Sequence, residues 1–317
     1  MKAAIYTSYG EPEVVNLVEV PKPTPQDHEI VVKVNAATVT SGDWRMRAGV
    51  PFAIRIYNGL FKLKRTVLGH EFSGVVDRVG AQVTQFKVGD PVFGTTGEGA
   101  GAHAEFVAVP ANGIVALKPD AIPDEKAAAL PVGALTALYF LRQADVKKGQ
   151  NVLIYGASGS VGTYAVQLAK HFGAEVTAVC SGSNVEWVRS LGADQVIDYH
   201  KDDFTQQKDA YDVVFDAVGK ASFGKSRNAL KPGGVFLTVA MDLKLMFQSI
   251  VTSITKRYKL ISAVSKPTLD DFLVIIDLAE QGSLAPVIDR TYQLSEIRQA
   301  HRHAETGHKK GNLVLRP

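Results

Sequence analysis

The chain of 317 residues is 46% hydrophobic, which supports two domains, each with a core of its own. A formal net charge of +3, with no basic cluster beyond Lys62, Lys64 and Arg65 or the pair Lys309-Lys310, excludes nucleic acid and a membrane surface as evident partners. Cys180 is the sole cysteine, which excludes an intrachain disulfide and a cysteine-rich metal site; residues 1–10 lack a signal-peptide pattern and no apolar run reaches bilayer length, so the sequence reads as a soluble cytoplasmic protein.

From residue 1 to about 119, short strands alternate with turns. Strands are predicted at 2–6, 14–18, 29–36, 72–79, 91–94 and 104–109, with Gly10-Glu11-Pro12 and the proline-bearing stretch 21–25 as turns or extended connections. Few helical periods occur, so this half reads as a mostly β module. After Pro123 the character changes. Asp124 and Glu125 open an alanine-rich helical stretch broken at Pro131, and a second helical run covers 135–143. Strands then fall at 152–155, 175–180, 195–198, 212–216, 234–239 and 259–264, with helical segments near 160–172, 184–191, 203–208, 222–230 and 243–255. Six strands with intervening helices predict an α/β, doubly wound parallel sheet. The tail adds a helix at 268–281, a strand at 286–290, a helix at 295–305 and a strand at 313–315.

The stretch NVLIYGASGSVGT at 151–163 organises the chain. An apolar strand runs into Gly156, Gly159 and Gly162, and a helical run follows. Gly156 would make the turn, Gly159 would admit a pyrophosphate to the backbone, and Gly162 would allow tight helix-to-strand contact. Strand, turn and helix in that order favour dinucleotide binding over a structural turn. Ser158, Ser160 and Val161 share the loop. At the end of the second strand, where an NAD-type site presents an acid, this chain has Ser181, Gly182, Ser183 and Asn184, with no acid before Glu186. Hydroxyl and amide donors there favour the 2′-phosphate of NADPH. Cys180 is read as a small buried hydrophobe.

The stretches TVTSGDWRMRAG at 38–49, GHEFSGVVDRVG at 69–80, FKVGDPVFG at 86–94, LPVGALTA at 130–137, YGASGSVG at 155–162, LGADQVIDY at 191–199, FDAVG at 215–219 and LKPGGVFL at 230–237 resemble the zinc-independent branch of the medium-chain dehydrogenase/reductase superfamily, the quinone oxidoreductase-like proteins. The resemblance implies a chaperonin-10-like β-barrel catalytic domain at 1–123, a Rossmann domain with a six-stranded parallel sheet at 124–264, and a segment at 265–317 completing the catalytic domain. It implies a nicotinamide in the cleft between domains, and pairing into a homodimer through the strand at 260–264. It adds Thr136, Tyr199 and Asn312 to the cofactor contacts, Asn312 standing where relatives often carry lysine, while Val218 and Gly219 at the end of the fourth strand and Ala240 and Met241 after the fifth open onto the cleft by their strand positions.

A zinc alcohol dehydrogenase of the same superfamily is the alternative. His70-Glu71 looks like part of its metal site, but Thr40 stands at a cysteine position and 132–134 offer no thiolate, so no metal ligand set is assigned. The short-chain Tyr-x-x-x-Lys pair is absent. Without a Lewis acid, hydride transfer suits a quinone or α,β-unsaturated carbonyl, whose conjugation spreads the charge. Thr40, Arg45 and His70 are the candidate catalytic residues: Thr40 as a hydroxyl donor to the substrate oxygen and Arg45 as a stabiliser of negative charge, while His70 has a buried, hydrogen-bonded histidine as its plain alternative. Asp43 reads as a backbone anchor. The apolar segment Met241, Leu243, Leu245, Met246, Phe247 and Ile250 reads as core, with part of it a possible pocket wall. A catalytically silent NADPH-binding sensor keeps the same fold and is the reading from a different class.

Overall fold

The computed structural model describes residues 1–241 and 243–317, the side chains of Glu98 and Leu243 excepted. In chain order it runs β1 (Lys2–Tyr6), β2 (Val15–Glu19), β3 (Glu29–Val39), α1 (Ser41–Ala48), α2 (Ala53–Asn58), β4 (Glu71–Val79), β5 (Pro91–Thr95), β6 (Phe106–Pro110), β7 (Val115–Leu117), α3 (Asp124–Ala129) and α4 (Pro131–Gln143). There follow β8 (Asn151–Tyr155), α5 (Ser160–His171), β9 (Glu175–Cys180), α6 (Val185–Ser190), β10 (Gln195–Asp198), β11 (Tyr211–Asp216), α7 (Phe223–Ser226), β12 (Leu230–Thr238), α8 (Leu243–Thr255) and β13 (Lys259–Ser262). The chain ends with α9 (Leu269–Glu280), β14 (Ile288–Gln293), α10 (Ile297–Thr306) and β15 (Asn312–Arg316). Two compact units result: Met1–Val132 with Thr268–Ile276 and Pro286–Pro317, and Gly133–Pro267 with Asp277–Ala285.

The first unit is built on β3, whose β-branched run Ile30, Val31, Val32 and Val34 is buried. It pairs antiparallel with β4, β6 and β15, and the sheet runs β14-β15-β3-β4-β5-β7 with β6 added on β3. Ile30, Val32, Phe72, Val76, Val92, Val107, Leu313 and Leu315 fill its core. The C-terminal strand thus closes the β module that the N-terminus begins.

Two helices interrupt this unit where few were expected. At α1 the signal was present but short: Thr40 caps the helix by accepting from Asp43 N, Asp43 caps Thr40 N in return, and Gly49 ends it at φ +66°. The unit also extends past the expected limit at 123. α3 packs on β3 and β4 rather than opening the second unit, and the division falls after Val132; residues 277–285, expected with the catalytic domain, belong to the second unit.

In the second unit the six strands are all parallel, in the order β10-β9-β8-β11-β12-β13. Leu153, Val179, Val214, Phe236 and Leu260 make its core. The order reverses between β8 and β11, so the carboxyl ends Tyr155 and Asp216 flank the crevice where doubly wound sheets bind ligands. The expected helix at 203–208 is only the 3-10 turn Phe204–Gln206, and that at 222–230 shrinks to α7, with Leu230 already in β12. The segment read as core is instead largely exposed: Met241, Met246, Phe247 and Ile250 are each at least half accessible, and the side chain of Leu243 lies outside the described residues.

Candidate active site

The turn after β8 is shaped by what its glycines exclude. Gly156 sits at φ +79°, and a Cβ there would lie 2.5 Å from Val218 Cγ1; a Cβ at Gly162 would lie 2.2 Å from the Gly156 carbonyl oxygen. Neither position accepts a side chain. Gly159 differs: its Cβ would come no closer than 3.5 Å to any protein atom, so the glycine keeps space clear rather than relieving a clash. Gly159 caps α5, with Ser160 and Val161 in its first turn and no side chain closing the helix end. Ser158 precedes it, half-buried. An uncapped helix end with clear space above a glycine fits the diphosphate of a dinucleotide.

Beyond β11 a second backbone loop turns around one carboxylate. Asp216 is fully buried; Oδ1 accepts from the amides of Val218, Gly219 and Lys220 at 3.2, 2.9 and 3.2 Å, while Oδ2 accepts from Ala221 N and Thr238 Oγ1. Burial pushes its carboxyl up, opposed by these donors. Asp216 thereby sets Val218 and Gly219, and Thr238 in turn accepts from Ala240 N at 3.1 Å. Sequence reading named the turn but not its organiser, although an Asp three residues before a glycine at a strand end was the available signal. Thr136 Oγ1 lies 3.4 Å from Ser265 Oγ, half-buried.

At the tip of β9, Asn184 is buried and engaged: its Nδ2 donates to Ser181 Oγ at 2.9 Å and its Oδ1 accepts from Trp187 Nε1 at 2.9 Å. Asn184 therefore positions Ser181 instead of facing a ligand directly. Ser183 is exposed beside it, and Tyr199 is exposed with its ring tilted against that of His200, centroids 4.4 Å apart. Asn312 departs from expectation. It is 3% accessible, and its Nδ2 donates to Val287 O at 3.1 Å, so it ties β15 down and offers almost no surface to a cofactor.

The three candidate catalytic residues lie in the first unit. Thr40 Oγ1 donates to Asp43 Oδ2 at 2.6 Å, so its one proton is already given and the expected donation to substrate is not available in this arrangement. Asp43 is completely buried, and it also accepts from Thr40 N at 2.7 Å and Gly69 N at 2.9 Å. Burial would raise its carboxyl, but the neighbouring histidines and the Thr40 donors outweigh burial and hold it below the usual range. His70 is half-buried with Nε2 3.9 Å from Asp43 Oδ1, an electrostatic neighbour without a hydrogen bond. Arg45 is exposed and lies over the Trp44 ring, 5.5 Å from its centroid.

Behind this surface lies a polar interior that the sequence did not signal. Glu71 accepts from Val132 N at 2.6 Å and from Thr38 Oγ1, and burial pushes its carboxyl up to about 8. Burial pushes the Lys309 ammonium down to about 8, with Glu71 and Asp289 opposing. His103, lowered by burial, meets the Thr38 carbonyl at 2.9 Å and stands edge-on to His301 at 5.8 Å. A zinc ion does not fit here: both Glu71 oxygens are taken, Thr40 is bound to Asp43, and no group of three His, Cys, Asp or Glu side chains among the described residues is arranged around a common point.

A doubly wound parallel sheet with a glycine turn after its first strand is the architecture of a dinucleotide-binding domain, and it shares this chain with a separate β unit. Residues 26–120 match the alcohol dehydrogenase GroES-like domain, and 191–315 match the zinc-binding dehydrogenase family. The chain is 35% identical to a 2-methylene-furan-3-one reductase of Solanum lycopersicum, over 100% of this chain and 79% of that protein. It is 34% identical to a chloroplastic NADPH-dependent alkenal/one oxidoreductase of Arabidopsis thaliana, over 100% and 80%. The structure of the quinone oxidoreductase from Coxiella burnetii superposes with a TM-score of 0.91 at 33% identity, covering 100% of this chain and 99% of that one. The chain belongs to the medium-chain dehydrogenase/reductase superfamily and is quinone oxidoreductase-like. It is an enzyme with a GroES-like domain and a Rossmann domain.

Proposed function

We propose that this enzyme is an NADPH-dependent reductase that delivers hydride to a quinone or an α,β-unsaturated carbonyl without a metal ion. The observation that carries the reading is the clear space over Gly159 at an uncapped helix start, bounded by two glycines that admit no side chain. Ser158, Ser160, Val161 and the loop amides hold the diphosphate. Ser181, positioned by Asn184, joins Ser183 and Tyr199 at the 2′-phosphate. Val218, Gly219, Ala240 and Thr136 complete the dinucleotide contacts, the first three set by Asp216 and Thr238.

The bound dinucleotide supplies the hydride. In the first unit, His70, with Nε2 3.9 Å from Asp43 Oδ1, stands as a polar partner for the substrate oxygen, and the exposed Arg45 adds positive charge for the developing oxyanion. Thr40 acts through Asp43, as a positioning residue. The names of the similar proteins support enone and quinone as electron acceptors. The edge position of β13 in its sheet supports pairing into a homodimer. No helix among the described residues is long and apolar enough to cross a membrane.

The test is NADPH oxidation with naphthoquinones and simple enones, before and after exhaustive chelation. Turnover that survives chelation supports the proposal. Tight NADPH binding without turnover across the panel would replace it with the silent-sensor reading, and chelator-sensitive alcohol oxidation would replace it with the zinc enzyme.

A further inference from the structure

The loop after β9 lacks an acid of its own, yet a carboxylate reaches it from the neighbouring strand. Asp198 ends β10 and pairs with Cys180, the last residue of β9. Its carboxylate lies against the loop that follows Cys180: a Cβ built on Gly182 would stand 2.6 Å from Asp198 Oδ2 and 3.3 Å from Cγ. Oδ1 accepts the His200 amide at 3.1 Å, which holds the group in place. Gly182 is the residue that makes room, since any side chain there would meet the carboxylate. The charge is also felt on the other side of the loop, where it reinforces the effect of burial on the Cys180 thiol.

An NAD-type site places a carboxylate at the end of its second strand so that the ribose hydroxyls donate to it. Here the same chemistry arrives at the same loop from the third strand in sequence. Ser181, Ser183 and Tyr199 offer donors to a 2′-phosphate, whereas a carboxylate over Gly182 repels one. The two features pull in opposite directions at one subsite.

We propose that Asp198 is a specificity-determining residue that accepts a ribose hydroxyl of NADH and opposes the 2′-phosphate of NADPH, so that the enzyme binds both nucleotides and its preference for NADPH is held down. The inference rests on the dinucleotide-binding reading above. Asp198→Asn keeps an oxygen for the His200 amide while removing the charge. Gly182→Ala reaches the same end by another route, since its methyl group displaces the carboxylate and its backbone angle is open to alanine.

The experiment is calorimetric titration of the purified full-length enzyme and both variants with NADPH and with NADH. Removing one charge beside a phosphate predicts that the NADPH-to-NADH affinity ratio rises about tenfold in Asp198→Asn. Gly182→Ala is expected to move it in the same direction. An unchanged ratio in both variants, with both nucleotides still bound, overturns the role of Asp198 and leaves the function intact. Absence of binding of either nucleotide to the unchanged enzyme removes the dinucleotide reading itself, and this inference with it.

Discussion

The two units solve opposite problems with the same 20 side chains. In the second unit Asp216 is the only buried charged side chain among the described residues, and function is assigned to main chain: amides after Tyr155, amides after Asp216, and glycines that keep atoms away. In the first unit the surface residues that could do chemistry stand on a buried polar interior of Asp43, Glu71, His103, His301 and Lys309. Backbone machinery fails when an atom is added. Side-chain machinery fails when a charge is left without its partner, because the low-dielectric interior makes each unpaired group expensive. Substitutions in the two units should therefore break different properties.

The largest effect is expected from Gly162→Ala in the second unit. The new methyl group must displace the Gly156 carbonyl, 2.2 Å away, and the Ala157 Cα, 2.8 Å away. NADPH affinity in a calorimetric titration should fall by at least roughly a hundredfold, since backbone atoms cannot swing aside as a side chain can. An affinity within about threefold of the parent would mean that the turn does not need its close packing.

The first unit should answer through pH. Glu71 has a folded pKa of about 8 against an ordinary 4.5, so its contribution is complete below the ordinary value and is lost as pH rises through 8. Lys309, lowered from 10.5 to about 8, contributes fully above its ordinary value and loses that contribution as pH falls through 8. Together they predict a stability minimum near pH 8 in thermal melts, with a depth on the order of a few kcal/mol. Glu71→Gln should flatten the acid limb and Lys309→Met the basic limb. A minimum that survives both changes would place the titrating groups elsewhere.

Asp43→Asn sharpens the comparison further. Asparagine keeps one acceptor oxygen where Asp43 uses two to hold Thr40 and Gly69, so about 1–3 kcal/mol of stability should go, read as a lower chemical-denaturation midpoint. If His70 depends on the Asp43 charge, the same variant lowers kcat at unchanged NADPH affinity. The smallest effect belongs to alkylation at Cys180. Burial, with Asp198 beside it, pushes that thiol up to about 11, so iodoacetamide at neutral pH should leave activity within about twofold of the untreated enzyme.

What the sequence revealed divides along the same line. The glycine turn and the six parallel strands were readable because strand periodicity and glycine spacing are local signals, and β9 and β10 fall at the predicted residues. α1 was missed because eight residues carry little periodicity, although Thr40 and Asp43 spelled out its cap. The buried pairing of Glu71 with Thr38, and the approach of Asp198 to Gly182, join residues far apart in sequence or on different strands, and no local pattern encodes them. The donation of Thr40 to Asp43 likewise becomes visible only when the helix cap is seen.

Gly159 gives the most direct test, because there an added methyl group meets no protein atom closer than 3.5 Å and can interfere only with a ligand. Calorimetric titration of the parent and of Gly159→Ala with NADPH, alongside their melting temperatures, should show matched melting and an affinity at least about tenfold weaker in the variant. Equal affinities, or no heat of binding in the well-folded parent, would contradict the account.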